Sequence, residues 1–119
     1  MKLVVEERES SALRELLGRD ADLLASALAE VEVVRAVRRV VPDLVPQAER
    51  VVAQIALVDV NEPIRARARL LEPVTLRSLD ALHLATALEI GEELDAVVTY
   101  DARMSEAGKT LGLHVLSPT

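Results

Sequence analysis

The sequence predicts an α/β protein, a three-layer α/β/α sandwich with a mostly parallel sheet. Short apolar runs that suit buried strands alternate along the chain with helical patterns, and parallel strands need helical crossovers that cover both faces of their sheet. Residues 78–88 are apolar on most sides of a helix, so this helix is expected to be enclosed between other elements. With 119 residues, of which 50% are hydrophobic, the chain is expected to form one domain over 1–119.

In the first half of the chain, helical patterns are separated by short apolar runs. Ser10 can cap the first helix and Gly18 is placed to end it. Pro42 and Pro46 bracket a turn. The predicted elements are a helix over 11–17, a strand over 22–26, a helix over 27–40, a helix over 47–54 and a strand over 55–60.

The second half continues this alternation around the apolar helix. Pro73 ends an arginine-rich helix, and Gly91 ends the apolar helix. The clearest strand of the chain follows, because its residues are rich in β-branched side chains. The predicted elements are helices over 64–71, 78–88 and 104–111 and strands over 94–100 and 113–116.

The composition excludes several classes of function. The chain has no cysteine, so neither a disulfide framework nor a thiolate metal site can form. Tyr100 is the only aromatic residue, which argues against a protein that stacks nucleic-acid bases on aromatic rings. The formal net charge is −6, so any contact with nucleic acid needs a local basic patch or a bound metal. No apolar run suits a membrane span and the start lacks the features of a signal peptide, so a cytoplasmic protein with no membrane partner is expected.

Asp80 is an unusual residue for so apolar a helix. Ser78 is expected to be the N-cap, which places Asp80 in the first turn, where the helix dipole favours a negative charge. One interpretation is that Asp80 only complements the dipole. The other is that it belongs to a site, and this interpretation depends on the other acids of the chain.

Asp101 and Glu32 are the other two acids in distinctive positions. Asp101 follows the predicted strand over 94–100, and sites in parallel sheets lie at the carboxyl ends of strands. Glu32 lies at the margin of the buried face of its helix, where it either pairs with Arg35 or Arg39 or converges with the other acids on a cation. Carboxylates can crowd together only if protons or a hard cation neutralise them, and oxygen ligands suit Mg²⁺ and Mn²⁺.

Three segments resemble the PIN-domain family, and within it the VapC-type ribonuclease toxins of bacterial toxin–antitoxin pairs. Residues 76–87, LRSLDALHLATA, are similar to the motif that carries the family's third acid, here Asp80. Residues 97–101, VVTYD, are similar to the strand-end motif with the fourth acid, here Asp101. Residues 26–36 resemble the stretch with the second acid, which corresponds to Glu32 and not to Glu30. The resemblance extends over essentially the whole chain.

This resemblance implies a function and a set of site residues. The expected activity is hydrolysis of RNA phosphodiester bonds that depends on Mg²⁺ or Mn²⁺, with Glu32, Asp80 and Asp101 as catalytic residues and metal ligands. Thr99 is expected to orient an acid or a water molecule. The expected partners are an RNA substrate, a small VapB-like antitoxin protein and a second copy of the chain in a homodimer.

The chain departs from the family at its start. Family members begin with an apolar strand that ends in an Asp, and neither this strand nor the first acid is found here. One hypothesis is that the chain is a truncated member and therefore less stable and less active. The alternative is that residues 2–5 enter the sheet and that Glu6 or Glu7 replaces the missing Asp.

The competing function is a catalytically incomplete PIN-like module that acts by binding a partner protein. A phosphate-handling enzyme of another kind is disfavoured, because the glycines form no phosphate-binding loop. His83 lies one turn from Asp80, and it is interpreted as a packing residue instead of a site residue. Arginines on two helices either line an RNA path or form solvated faces, namely Arg35, Arg38, Arg39, Arg65, Arg67 and Arg69.

Overall fold

The computed structural model describes residues 24–99 and 101–117, which alternate between strands and helices. The strands are β1 (Leu24–Ser26), β2 (Ala56–Val58), β3 (Val97–Val98) and β4 (Val115–Leu116). The α-helices are α1 (Leu28–Val40), α2 (Val45–Ala53), α3 (Glu62–Arg69), α4 (Ser78–Ile90) and α5 (Ala102–Thr110), and short 3-10 helices cover Pro42–Leu44 and Gly91–Glu93. The described residues divide into two units, one ending at Val58 and the other spanning Asp59–Ser117.

In the first unit, β1 and β2 pair in parallel, α1 contacts β1, and α2 packs against α1. Ser26 lies opposite Val58, and the Ala27 N–H extends the pairing by donating to the Val58 carbonyl at 2.9 Å. The apolar stripe of α1 buries Val37 completely, and Ala48 on α2 is equally buried. The expected order of strand, helix, helix and strand is therefore confirmed for residues 24–58.

In the second unit, α4 is the most buried helix. Its buried residues are Ala81, Leu84, Ala85, Thr86 and Ala87, which face more than one side of the helix. Helix α3 packs against it, with Ile64 only 1% exposed, and α5 also contacts it. This confirms that the apolar helix is enclosed between other elements. Gly91 ends it with a φ of 71°, a conformation that costs glycine no steric penalty.

The strands of the second unit, β3 and β4, also pair in parallel. Val97 lies opposite Val115, and the Thr99 N–H donates to the Leu116 carbonyl just beyond the paired residues, at 3.1 Å. The carboxyl end of β3 therefore leads directly to Thr99 and then to α5. Both strand pairs are parallel, which confirms the predicted α/β class and its parallel pairing.

Several boundaries differ from those predicted. Ser78 is not the N-cap of α4: Arg77 occupies that position without a side-chain capping bond, because its carbonyl already accepts the Ala81 N–H at 2.8 Å. Among the described residues of the strand predicted over 94–100, Val97–Val98 alone form a strand, paired with Val115–Leu116. Helix α3 begins two residues earlier than predicted, because the Asn61 side chain caps it.

The predictions for the start of the chain lie outside the described residues. They include the helix over 11–17, the alternative role of residues 2–5 and the replacement of an Asp by Glu6 or Glu7. Within residues 24–99 and 101–117, no helix has the length and apolar character needed to cross a membrane.

Candidate functional site

A cleft of about 710 Å³ lies in the second unit between the start of α4, one face of α5 and the loop that precedes α4. Both acids predicted for this unit, Asp80 and Asp101, line it. The remaining lining residues are Glu72, Pro73, Thr75, Leu76, Arg77, Arg103, Glu106, Ala107, Thr110 and Leu111. The structure therefore brings together two acids that are separated by a helix and a strand in the sequence.

Asp80 reaches the cleft from the first turn of α4. It is the third residue of the helix and is half-buried. A carboxylate in the first turn interacts favourably with the positive end of the helix dipole. The buried residues that follow, such as Leu84, fix the helix in place behind it. The same apolar packing that encloses α4 thus holds the acid at the edge of the cleft.

Asp101 reaches the cleft from the junction between β3 and α5. It is the N-cap of α5, and its Oδ1 accepts the Met104 N–H at 3.0 Å. Capping satisfies a backbone donor that the helix itself cannot pair, and it fixes the carboxylate relative to α5. The hydrogen bonds of the described residues use only Oδ1, so Oδ2 is available to a ligand.

Thr99 supports Asp101 from the end of β3. Its Oγ1 accepts the Asp101 N–H at 3.1 Å, and its own N–H donates to the carbonyl of Leu116. The Thr99 carbonyl in turn accepts a hydrogen bond from the hydroxyl of Ser117 at 2.5 Å. Thr99 is therefore bonded to β4 through its backbone and to Asp101 through its side chain.

The charges of the cleft combine an acidic majority with two arginines. The acids are Glu72, Asp80, Asp101 and Glu106, and the basic residues are Arg77 and Arg103. Carboxylates that share a cleft repel one another unless protons or a cation neutralise them. Carboxylate oxygens are hard donors, so the donor chemistry of Asp80 and Asp101 fits Mg²⁺ or Mn²⁺.

The third predicted acid, Glu32, is half-buried on α1 in the first unit. Asp80 and Asp101 both belong to the second unit, so the convergence of all three acids stays a prediction. Over the two described ranges, no group of three or more His, Cys, Asp or Glu side chains is arranged to hold a metal ion. His83 is half-buried on α4 and does not line the cleft.

Several features of the cleft were missed in the sequence. No sequence motif marks Arg77, Arg103, Glu72 or Glu106 as a site residue. The capping role of Asp101 was also missed, although an Asp shortly before a helical pattern is a common N-cap and could have indicated it. Glu72 and Arg77 precede α4, whereas Arg103 and Glu106 lie on α5, so their meeting at one cleft depends on tertiary packing.

Comparison with known proteins identifies the family of the chain. The family model described as "PIN domain" matches residues 1–110. The chain is 41% identical over 119 residues to Ribonuclease VapC46 of Mycobacterium tuberculosis (strain ATCC 25618 / H37Rv), covering 100% of this chain and 92% of that protein. It is 42% identical over 122 residues to Ribonuclease VapC35 of M. tuberculosis (strain CDC 1551 / Oshkosh), covering 99% of this chain and 90% of that protein.

A third relative extends this similarity. The chain is 37% identical over 122 residues to Ribonuclease VapC47 of M. tuberculosis (strain CDC 1551 / Oshkosh), covering 98% of this chain and 90% of that protein. No solved structure gives a significant match. The matched family model and the similarity over nearly the full length of these relatives confirm the resemblance seen in the motifs. The chain belongs to the PIN-domain family.

Proposed function

We propose that this chain is an endoribonuclease toxin of the VapC type that hydrolyses RNA phosphodiester bonds with Mg²⁺ or Mn²⁺. The observation that carries the proposal is the position of Asp80 and Asp101, which line one cleft from the starts of two different helices. Supporting it, the relatives that cover nearly the whole chain are named ribonucleases.

The proposed roles follow from where each side chain lies. Asp80 and Asp101, together with Glu32, would hold the cation through carboxylate oxygens. When bound, the cation would activate water for attack and stabilise negative charge on the phosphate oxygens. Asp101 keeps one oxygen on the Met104 N–H and has Oδ2 for the cation. Thr99 would act as a positioning residue, because it fixes the backbone of Asp101 without lining the cleft itself.

The charge of the cleft predicts that RNA and metal bind together. The chain carries a formal net charge of −6, and the cleft itself contains four carboxylates and two arginines. Without a cation, these carboxylates would repel a phosphate group. A divalent ion removes this repulsion, so RNA affinity should rise when Mg²⁺ or Mn²⁺ is added.

The remaining parts of the proposal concern partners and location. We propose a VapB-like antitoxin protein that inhibits the nuclease, a homodimer as the functional state, and the cytoplasm, where the RNA substrate is found. The family resemblance supports the first two. Size-exclusion chromatography with light scattering on the purified chain would measure its oligomeric state directly.

The proposal is tested by RNA cleavage and metal binding measured on the same purified chain. Cleavage of a mixed-sequence single-stranded RNA should require Mn²⁺ or Mg²⁺ and should stop when EDTA is added. Calorimetric titration of Mn²⁺ should give a binding isotherm that the Asp80→Asn variant loses together with cleavage. That variant should remain folded, because it removes one of the mutually repelling charges in the cleft. Unchanged cleavage by Asp80→Asn would contradict its role.

A second candidate function is a catalytically incomplete PIN-like module that acts by binding a partner protein. The observation that favours it is the lack, over residues 24–99 and 101–117, of any arrangement of three acids or histidines suited to a metal. This function predicts no Mn²⁺ isotherm and no cleavage, while binding to a VapB-like protein persists. The nuclease proposal instead predicts both a Mn²⁺ binding isotherm and RNA cleavage.

A further inference from the structure

Each of the two helix starts that bring an acid to the cleft also brings an arginine. Arg77 is the N-cap of α4 and lies three residues before Asp80, and Arg103 is the second residue of α5 and follows Asp101 by two. Both arginines line the cleft, and both are exposed. The two acids and the two arginines therefore face the same space.

Neither arginine neutralises the acids of the cleft. The ion pairs within the described part of the chain involve Arg65, Arg67 and Arg69, and neither Arg77 nor Arg103 has a carboxylate oxygen within 4.0 Å of a guanidinium nitrogen there. The cleft nevertheless contains four carboxylates. An arginine whose function was to balance these charges would be expected in an ion pair with one of them.

The two arginines also occupy positions that the helices disfavour. The N-terminus of a helix carries a partial positive charge, so a cation in the first turn is repelled and an anion is attracted. Helix α1 shows the favoured arrangement, since Glu30 lies in its first turn and Arg38 and Arg39 in its last turn. An anionic ligand in the cleft would offset the repulsion between each of these two arginines, Arg77 and Arg103, and the positive end of its helix.

We infer that Arg77 and Arg103 bind phosphate groups of the RNA next to the one that is cleaved. This inference rests on the proposed function, because it assigns a substrate contact within the same cleft. A guanidinium group presents a planar fork of N–H donors that matches two phosphate oxygens, and its charge persists at any physiological pH. In a chain with a net charge of −6, such local cations supply the attraction that the overall charge lacks.

The carboxylates and the arginines of the cleft then have different functions. The carboxylates hold the cation at the phosphate that reacts, while the arginines hold the neighbouring phosphates and so set the position of the strand. Contacts to groups that do not react bind substrate and transition state about equally. Loss of these arginines should therefore raise KM and leave kcat nearly unchanged.

The experiment compares Arg77→Gln, Arg103→Gln and the double variant with the parent chain. Binding of a short fluorescein-labelled single-stranded RNA is followed by anisotropy in Ca²⁺ over a range of salt concentrations, and cleavage is measured separately in Mn²⁺. Each single variant should weaken binding by about tenfold at low salt. Each should also reduce the slope of log K against log salt by about 0.7, and the double variant by about 1.4.

Matched control variants remove one or two positive charges at positions that do not line the cleft. Lys109 lies on α5 like Arg103 and is exposed, but it does not line the cleft. The Lys109→Gln variant is the control for single substitutions, and Arg50→Gln combined with Lys109→Gln is the control for the double variant. Both should retain the parental salt slope and KM. Thermal unfolding should show Arg77→Gln and Arg103→Gln to be as stable as the parent or more so, because each removes a cation from a positive helix end.

The outcomes separate this inference from the proposed function. Weaker binding and smaller salt slopes for the arginine variants, with no cleavage by any chain, would support the phosphate contacts and contradict the nuclease. Cleavage by the parent, together with affinities and slopes in the double variant equal to those of its control, would overturn the phosphate contacts and leave the nuclease intact. A parent chain that binds no RNA would overturn both.

Discussion

The Oγ1 atom of Thr99 accepts a hydrogen bond from the backbone N–H of Asp101, with 3.1 Å between oxygen and nitrogen. Asp101 in turn accepts the Met104 N–H through Oδ1, so its backbone and its side chain are both fixed. Thr99 is bonded to β4 through its own N–H. The short strand pair therefore controls where one of the two cleft acids lies.

Replacing Thr99 by Val should separate the positioning of Asp101 from its charge. Valine keeps the β-branched shape but loses the acceptor, and the Asp101 N–H can then bond to water because this residue is exposed. We expect a loss of stability of no more than about 1 kcal/mol, and a fall in kcat of at least about tenfold. Thermal unfolding and Mn²⁺-dependent cleavage measure the two effects.

Thr99→Ser is the matched control, because it restores the hydroxyl. It should recover most of the activity. Equal activity of the Val and Ser variants would show that the hydrogen bond to Asp101 is dispensable.

Asp101 caps α5 and is also a proposed metal ligand, and substitutions can separate these two roles. Asparagine and aspartate are comparable N-caps, so Asp101→Asn should retain the bond to the Met104 N–H and nearly the parental stability, while cleavage is lost with the charge. Asp101→Ala should lose cleavage and also about 1 kcal/mol of stability, because the cap is removed. Chemical unfolding of the three chains gives the comparison. A loss of stability in the Asn variant as large as that in the Ala variant would mean that the charge, and not the cap, stabilises α5.

The positions of the two cleft acids within their helix and strand could be predicted from the sequence, because they depend on residues that are close together in the chain. The expected helix start near Ser78 placed Asp80 in the first turn of α4, and the β-branched run before Asp101 placed that residue at the end of a strand. The N-cap was predicted one residue late, because the Arg77 carbonyl, and not the Ser78 hydroxyl, makes the first helical bond. Which of two neighbouring residues is the N-cap depends on backbone geometry, and residue type alone does not determine it.

Other features depended on contacts between distant segments. Among the described residues of the strand predicted over 94–100, Val97–Val98 alone form a strand, and the Thr99 carbonyl beyond it accepts a hydrogen bond from the Ser117 hydroxyl. Arg77 and Arg103 reach one cleft only because α4 and α5 pack together. No periodicity in either helix indicates this meeting.

The ion pair between Arg67 on α3 and Glu89 on α4 links two helices that pack together. The Arg67 Nε and the Glu89 Oε1 are 2.9 Å apart, and the two side chains are 45% and 34% exposed. Because both charges remain partly solvated, a double-mutant cycle with Arg67→Met and Glu89→Gln should give a coupling energy of about 0.5 kcal/mol. The coupling should fall towards zero in about 1 M salt, where the screening length is about 3 Å.

The pair between Arg69 and Glu62 is the matched control for this cycle. Its atoms are 3.8 Å apart and both side chains are 65% exposed, so no measurable coupling is expected. A coupling at Arg67 and Glu89 no larger than that of the control would show that the bond between the helices adds nothing to stability.

Gly108 lies on the side of α5 that packs against β4. A Cβ atom built on Gly108 would lie 2.9 Å from Cγ2 of Val115 and 3.6 Å from Cδ2 of Leu84. The first distance is shorter than real carbon contacts allow, and the β-branched Val115 side chain has few rotamers into which it can move. The glycine therefore permits the close packing of α5 on β4 and on the buried helix α4.

Gly108→Ala should destabilise the protein although alanine favours helices. The gain in helix propensity is about 1 kcal/mol, and the forced displacement of Val115 is expected to cost about 1 to 3 kcal/mol. Lys109→Ala, at the exposed neighbouring position, is the control for propensity and should leave stability nearly unchanged. If unfolding in urea showed Gly108→Ala to be more stable than the parent, α5 could move away from β4 without cost. Since Asp101 caps this helix, such freedom would also mean that the cleft is less rigidly built than its hydrogen bonds indicate.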